Sequence, residues 1–276
     1  MMNVPCAVWD IRMIEQRIQL QPAYILHQRP YRDTSALIEL FTPEYGRVGV
    51  VAKGVKGSRS RWRGLLQGFQ PLLVSWYIRG ELGTLTTAEP QGQALTISPA
   101  FIASGFYLNE ILMRLLTRHD PQEALFEGYD MTLRSISRIP ATSTDAQQLL
   151  EVQLRSFELH LLRELGYGLI LDMVVNTGKS IHADETYLYH VDRGPVLFGA
   201  GSVARDQEGI RVKGKTLLAL QENDFADEEV RREAKRLLRG VLGKHLGPKP
   251  LHSRQLMQSS RKVTSIEVKN TAVKTN

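Results

Sequence analysis

The 276-residue chain contains one cysteine, Cys6. A single cysteine excludes an intramolecular disulfide and a zinc site built on cysteine pairs, which is typical of a reducing cytoplasm. Long hydrophobic runs are also absent, because no apolar stretch approaches the roughly 18 residues of a membrane span. The first residues carry charges where a signal peptide needs its apolar core. We therefore expect a cytoplasmic protein without a membrane segment.

Acidic residues are missing from one stretch of an otherwise balanced chain. The whole chain has 35 Lys and Arg against 29 Asp and Glu, a formal net charge of +6. The stretch from Val51 to Gly64, VAKGVKGSRSRWRG, has five bases, three glycines, one tryptophan and no acid; it is called the basic loop below. Clustered bases displace counterions from phosphates, and glycines let the backbone approach. The basic loop predicts binding to nucleic acid, with a solvated surface loop as the alternative.

The first ninety residues alternate short β-rich runs with turn signals. The runs predict five strands, at Ala23 to His27, Leu37 to Thr42, Val48 to Lys53, Leu72 to Ile78 and Leu82 to Ala88. Thr42 and Glu44 are expected to form a turn with Gly46. Five short strands in about seventy residues indicate a small barrel.

After Glu89 the apolar residues recur at helical spacing. We predict helices that begin at Ser98, Asp120, and Thr142 or Ser143, then irregular structure with a strand or two around 167–211, then helices over Lys215 to Gln221, over Asp227 to Leu246 and from Ser253. The predicted fold class is α+β and multidomain. It comprises a flexible extension over residues 1–20, a barrel over 21–90, a mainly α-helical domain over 91–257 and a flexible tail over 258–276.

Ordered motifs resemble those of a known family. The strings AYILHQRPYRDTS, LFTPEYGRV, VAKGVKGSRS, LQGFQPLL, YLNEIL, SFELHLLRELGYG and LGPKPLHSR are similar, in order and spacing, to the RecO recombination mediator family. The resemblance covers about Pro22 to Met257. It implies an N-terminal five-stranded oligonucleotide-binding (OB-fold) barrel joined to a helical domain. It also implies binding of single- and double-stranded DNA, strand annealing, and loading of RecA together with RecR and the single-stranded-DNA-binding protein.

The barrel gives the basic loop a role, since such barrels bind nucleic acid across one face and the adjoining loops. The expected phosphate contacts are Lys53, Lys56, Arg59, Arg61 and Arg63, extended along the rim by Arg29, Arg32 and Arg47. Trp62 and Tyr31 are candidates for stacking on bases. The alternative for both aromatics is that they anchor loops to the barrel.

The resemblance further implies a contact with the acidic, apolar-ended C-terminal tail of the single-stranded-DNA-binding protein. The third helix has more apolar positions than one core stripe needs, and arginines flank it. We expect a peptide groove formed by Leu112, Leu116, Arg155, Leu159, Leu162 and Arg163. The alternative is that the leucines widen the core stripe and the arginines are solvated.

Catalysis has one candidate site. His182, Asp184, His190 and Asp192 have the residue types of a metal cluster, but their spacing matches no helical His-x-x-x-His arrangement. Val174 and Thr177 stand where some members of the resembled family carry a Cys-x-x-Cys zinc pair, and no Gly-rich phosphate loop is present. We expect no cofactor, no metal and no enzymatic activity. A metal-dependent nucleic-acid hydrolase and an RNA-binding module remain the alternative functions.

Overall fold

The computed structural model describes residues 16–57, 60–80, 82–199 and 209–256, with the backbone alone at position 79. Five N-terminal strands form a closed barrel in the order β1-β2-β3-β5-β4. Their bounds are β1 Gln16–Tyr31, β2 Ser35–Thr42, β3 Gly46–Ala52, β4 Leu72–Arg79 and β5 Leu82–Pro90. All pairs are antiparallel except β3 with β5, which are parallel. The predicted barrel is confirmed.

Strand β1 is longer than predicted. It begins at Gln16, so residues 16–20 belong to the barrel and not to the expected flexible extension. Ile18 is buried and pairs with Trp76 of β4. The strand pairs with β4 near its start and with β2 near its end, and register shifts bend it between the two. Residues 1–15, Cys6 and the expected tail over 258–276 lie outside the described residues.

Strand β2 is buried along its whole length, because both of its faces are covered. Ile38 and Leu40 belong to the core inside the barrel, whereas Phe41 belongs to a second core shared with the helices. The turn after β2 forms as predicted: the Thr42 hydroxyl donates to the Gly46 carbonyl and accepts from the Tyr45 N–H. Burial on both faces explains the mostly apolar sequence of this strand, in which Glu39 is the one charged residue.

Five helices follow the barrel in the described part of the chain, and a small sheet interrupts them. Their bounds are α1 Ile102–Leu115, α2 Glu123–Ser137, α3 Ala146–Glu164, α4 Gly214–Gln221 and α5 Glu228–Leu246, with a further helical turn at 252–256. The sheet has three strands where one or two were predicted, β6 Thr186–His190, β7 Gly194–Leu197 and β8 Ile210–Lys213, in the order β7-β6-β8. No helix in the described ranges is long and apolar enough to cross a membrane.

The first three helices begin later than predicted. Ser98 and Ser143 sit in turns that precede the helices, where their carbonyls accept from Phe101 and Ala146. No side chain caps α1, α2 or α3. By contrast α5 begins as predicted, because the Asp227 carboxylate caps the helix by accepting hydrogen bonds from the Glu229 and Val230 N–H groups.

The barrel and the helices share a hydrophobic core. Tyr24 and Phe41 of the barrel pack against Phe126 and Tyr129 of α2, with ring centroids 5.1 to 6.0 Å apart. The Asn109 side chain of α1 donates to two β1 carbonyls and accepts from the Tyr129 hydroxyl. Trp62 of the basic loop belongs instead to the core inside the barrel.

Candidate nucleic-acid interface

The basic loop is anchored by Trp62. The indole is 4% exposed and belongs to the core inside the barrel. Its Nε1 donates a hydrogen bond of 2.8 Å to the Lys53 carbonyl, which joins the end of β3 to the middle of the loop. A side chain this deeply buried offers no face to a base. This burial argues against the prediction that Trp62 contacts DNA and supports the alternative, an aromatic that anchors the loop.

Burial of Trp62 determines where its two neighbours lie. Arg61 and Arg63 flank it in sequence, and both are exposed. The Arg61 guanidinium lies 4.3 Å from the centroid of the Trp62 ring. Turn hydrogen bonds from Arg63 N–H to the Ser60 carbonyl and from Leu65 N–H to the Trp62 carbonyl fix the local backbone. Because the ring points into the barrel, both guanidinium groups are held at the surface; Arg59 lies outside the described residues.

The loop also contacts the turn between β1 and β2. The Lys56 N–H donates to the Thr34 carbonyl at 3.3 Å, and its ammonium donates to the Arg32 carbonyl at 3.5 Å. These contacts place Lys56 beside Arg32. The exposed cations of the basic loop and of the end of β1 with its following turn are called the cationic patch below: Arg29, Arg32, Lys53, Lys56, Arg61 and Arg63. The chain has no acidic residue between Glu44 and Glu81, although Asp33 is exposed in the same turn as Arg32.

The half-buried Tyr31 ring lies beside the patch. Its centroid is 5.3 Å from the Arg32 guanidinium carbon, and Arg32 itself has a positive φ of 51°. A ring covered on one side by a cation has a reduced face for stacking. The patch therefore offers a ligand positive charge and little aromatic surface.

Arg47 does not belong to the patch, which corrects the prediction. It lies at the opposite end of β3, where its guanidinium donates to the Met113 carbonyl of α1 and pairs with Glu39 at 3.6 Å. Arg118 also pairs with Glu39. Burial lowers the pKa of Arg47, although the Glu39 carboxylate acts in the opposite direction. Arg47 holds the barrel against the helices.

The sequence analysis missed Glu39 and Arg118. Glu39 is the one acid in the buried strand SALIELFT, and a carboxylate in such a strand needs a cationic partner. The isolated charge of Glu39 was therefore the sequence signal for a buried ion pair. Its two arginine partners come from β3 and from the segment before α2, so their convergence depends on the tertiary fold.

The predicted peptide groove is wrong in most of its residues. Leu112, Leu116, Leu159 and Leu162 are all at most 5% exposed and lie in the shared core. Arg155 is also buried, where it pairs with Glu158 at 2.5 Å.

The buried pair has a third member, since the Tyr107 hydroxyl donates to Glu158. Burial raises the pKa of Glu158, and the nearby Arg155 opposes that shift. Of the six groove residues only Arg163 is exposed. The leucines thus widen the core stripe, as the alternative stated.

The histidines and aspartates of the small sheet do not converge. Within the described ranges, no group of three or more His, Cys, Asp or Glu side chains could hold a metal ion. Asp192 instead pairs with Lys244 of α5. The His182 N–H donates to the Tyr187 hydroxyl, a structural contact between the segment before β6 and β6 itself.

The closed barrel, its cationic patch and the attached helices define an OB-fold protein of two parts. Comparison with known families supports the same division: the family described as Recombination protein O N terminal matches residues 17–93, and Recombination protein O C terminal matches residues 100–255.

Relatives match along nearly their whole length. The DNA repair protein RecO of Nitrosococcus oceani is 49% identical over 253 residues, covering 92% of this chain and 98% of the relative. The proteins of the same name from Nitrosospira multiformis and Coxiella burnetii are 44% and 41% identical, each over 88% of this chain and over 96% and 99% of the relative. The chain belongs to the RecO family of DNA repair proteins, which confirms the resemblance.

Proposed function

We propose that this protein is a non-catalytic recombination mediator that binds single- and double-stranded DNA through the cationic patch and anneals complementary strands. The carrying observation is a set of six exposed cations in the basic loop and beside the neighbouring β1–β2 turn. Membership of a DNA repair family supports the choice of DNA as the polyanion.

The patch favours contacts with phosphates over contacts with bases. Trp62 is buried and Tyr31 is half-covered by Arg32, so the described part of the patch has little aromatic surface. Phosphate contacts position a strand without reading its sequence. Neutralising the phosphates of two strands lowers their mutual repulsion and leaves the base edges free to pair. Annealing by this route needs no nucleotide hydrolysis.

Partners follow from the family. We propose that the protein works with RecR and with the C-terminal tail of the single-stranded-DNA-binding protein, and helps to load RecA. An exposed apolar set near the end of α3 suits an acidic, apolar-ended tail: Tyr167, Ile170 and Met173 are 39% to 45% exposed. Arg163 is exposed one turn before Tyr167 and can pair with a carboxylate of the tail.

The experiment that tests DNA binding removes three cations of the patch. Lys56→Ala, Arg61→Ala and Arg63→Ala together should weaken binding to both forms of DNA. The log-log salt slope should flatten by about 0.9 per lost contact on duplex and about 0.7 on single strands, so by about 2 to 3 in all. The measurement is a fluorescence-anisotropy titration at several salt concentrations.

A matched control removes the same charge elsewhere. Arg138, Lys179 and Lys249 are exposed outside the patch, and their triple alanine variant should keep the parent's slope. Equal affinity and slope in the patch variant would contradict the proposal. Annealing that persists in chelator with both strands intact separates it from a metal-dependent hydrolase, and competition with RNA of the same sequence separates it from an RNA-binding module.

A further inference from the structure

A cleft of about 490 Å³ has Gly64, the last residue of the basic loop, in its lining. Residues 64–72, the second half of the β3–β4 connection, form one wall, and residues 90–97 between β5 and α1 form the other, with Ile102 of α1 completing the lining. Arg63 immediately precedes the first lining residue. The lining of the cleft therefore begins, along the chain, where the cations of the basic loop end, and the cleft volume lies within the range of small-ligand sites.

Hydrogen bonds hold the two walls together. The Gln70 side-chain amide donates to the Leu95 carbonyl at 2.7 Å and accepts from the Leu95 N–H at 3.0 Å, as a paired strand would. The Gln91 N–H donates to the Pro71 carbonyl at 2.9 Å. A cleft with walls fixed in this way is formed before any ligand arrives, which lowers the ordering cost of binding.

Phe69 fixes the first wall to α1. Its backbone has a φ of +65°, a conformation that bulky residues rarely adopt. The ring is buried against Phe106, with centroids 5.2 Å apart, and any Cβ at Gly105 would lie 2.8 Å from it. Strain of this kind persists only where the surroundings impose it, and it occurs often at ligand sites.

The lining is uncharged. It combines apolar side chains such as Leu65, Leu95 and Ile97 with the exposed amides of Gln67 and Gln93. A charged group would gain no partner inside, whereas a flat neutral ring with donors and acceptors at its edge would find both apolar contact and hydrogen bonds. The cations just outside suit a phosphate attached to that ring. Together these features describe a nucleotide of an unpaired strand.

We propose that the cleft receives unpaired bases of single-stranded DNA whose phosphates lie on the cationic patch. This inference rests on the proposed function and concerns the bases of the strand, which the patch does not contact. A duplex keeps its bases stacked inside, so it uses the patch alone. A single strand uses the patch and the cleft, and its bases leave the cleft when they pair.

The test fills the cleft from one wall. Gly68 lines it, has no positive φ, and has no atom within 4 Å of an added Cβ, so the fold accommodates Gly68→Phe. Single-strand affinity should fall about 5- to 150-fold, the equivalent of one stacked base, while duplex affinity stays unchanged. A 2-aminopurine base in the strand should change its fluorescence on binding to the parent and not on binding to the variant.

Two further variants complete the design. Gly243→Phe adds the same ring to an exposed position of α5 where no atom lies within 4 Å, and it should behave as the parent. Ala94→Phe fills the cleft from the other wall and should repeat the loss, which guards against misfolding of the first variant.

Unchanged single-strand binding in both cleft variants overturns the inference, as does an equal loss on single strands and duplex. An apolar peptide that binds the cleft while single-strand affinity stays unchanged also overturns it. The proposed function fails separately, through the patch variant on duplex DNA.

Discussion

The role of Trp62 can be decided by removing it in two steps. Trp62→Ala deletes a nearly fully buried indole from the barrel core, and Trp62→Phe keeps a ring but removes the Nε1 donor to the Lys53 carbonyl. Large-to-small changes of a buried Trp cost about 3 to 5 kcal/mol. Loss of one hydrogen bond costs about 0.5 to 1.5 kcal/mol, to which the smaller Phe ring adds a packing loss.

Thermal unfolding and DNA binding, measured on the same samples, separate an anchor from a stacking residue. For a chain of this size each kcal/mol shifts the melting temperature by about 2 to 4 °C, so Trp62→Ala should melt about 6 to 20 °C lower than the parent. Because Arg61 and Arg63 then lose their fixed positions, affinity for single strands and for duplex should fall in parallel. Trp62→Phe should retain most of the stability and most of the binding of both forms.

The opposite pattern would refute the anchor. A residue that stacks on bases contributes about 1 to 3 kcal/mol to single-strand binding and nothing to the fold. If Trp62→Ala melts within about 1 °C of the parent and loses only single-strand affinity, the indole faces DNA and its buried position is not the one that acts.

Two further predictions concern the junction and the helical part. Glu39→Gln leaves Arg47 and Arg118 without their shared carboxylate. Since the Arg118 side chain is 35% exposed, we expect the free energy of unfolding to fall by about 1 to 3 kcal/mol in a thermal unfolding experiment, with unchanged DNA affinity. A loss of affinity without destabilisation would contradict this assignment. A synthetic acidic, apolar-ended tail peptide should bind the full chain at low salt. Arg163→Ala should weaken that binding without changing the melting temperature. Arg155→Ala should lower the melting temperature, because it leaves Glu158 buried without its cationic partner. Absence of peptide binding, or equal binding by Arg163→Ala, would refute the Arg163 site.

The barrel was largely predictable, because short β-rich runs separated by turn residues are local signals. The start of β1 was not, since its first residues, QRIQLQ, are mostly polar and are held by pairing with β4 about sixty residues later. The starts of α1 and α3 were predicted too early, because they also depend on more than the local sequence. Ser98 and Ser143 have the side chains of caps, but the turns they initiate precede the helices, and only Asp227 combines the right side chain with the right backbone.

The candidate site was predictable in composition and not in geometry. The cluster of bases without acids identified Lys53, Lys56, Arg61 and Arg63, which are all exposed. Whether a tryptophan among them faces in or out depends on the packing of the barrel core, which no local pattern reveals. The cleft was equally invisible, because its two walls come from segments about twenty-five residues apart that the Gln70 side chain joins.

Cationic residues near the two ends of strand β3 have different roles. Arg47 lies near its start and Lys53 follows its end, roughly 20 Å apart at about 3.3 Å per residue. At the start, Glu39 on the neighbouring strand neutralises the cation and the helices cover it. Beyond the end, the basic loop supplies further cations and no acid, and this surplus of positive charge favours an external polyanion. The position of a single acid on β2 therefore separates the structural arginine from the cations that we propose bind DNA.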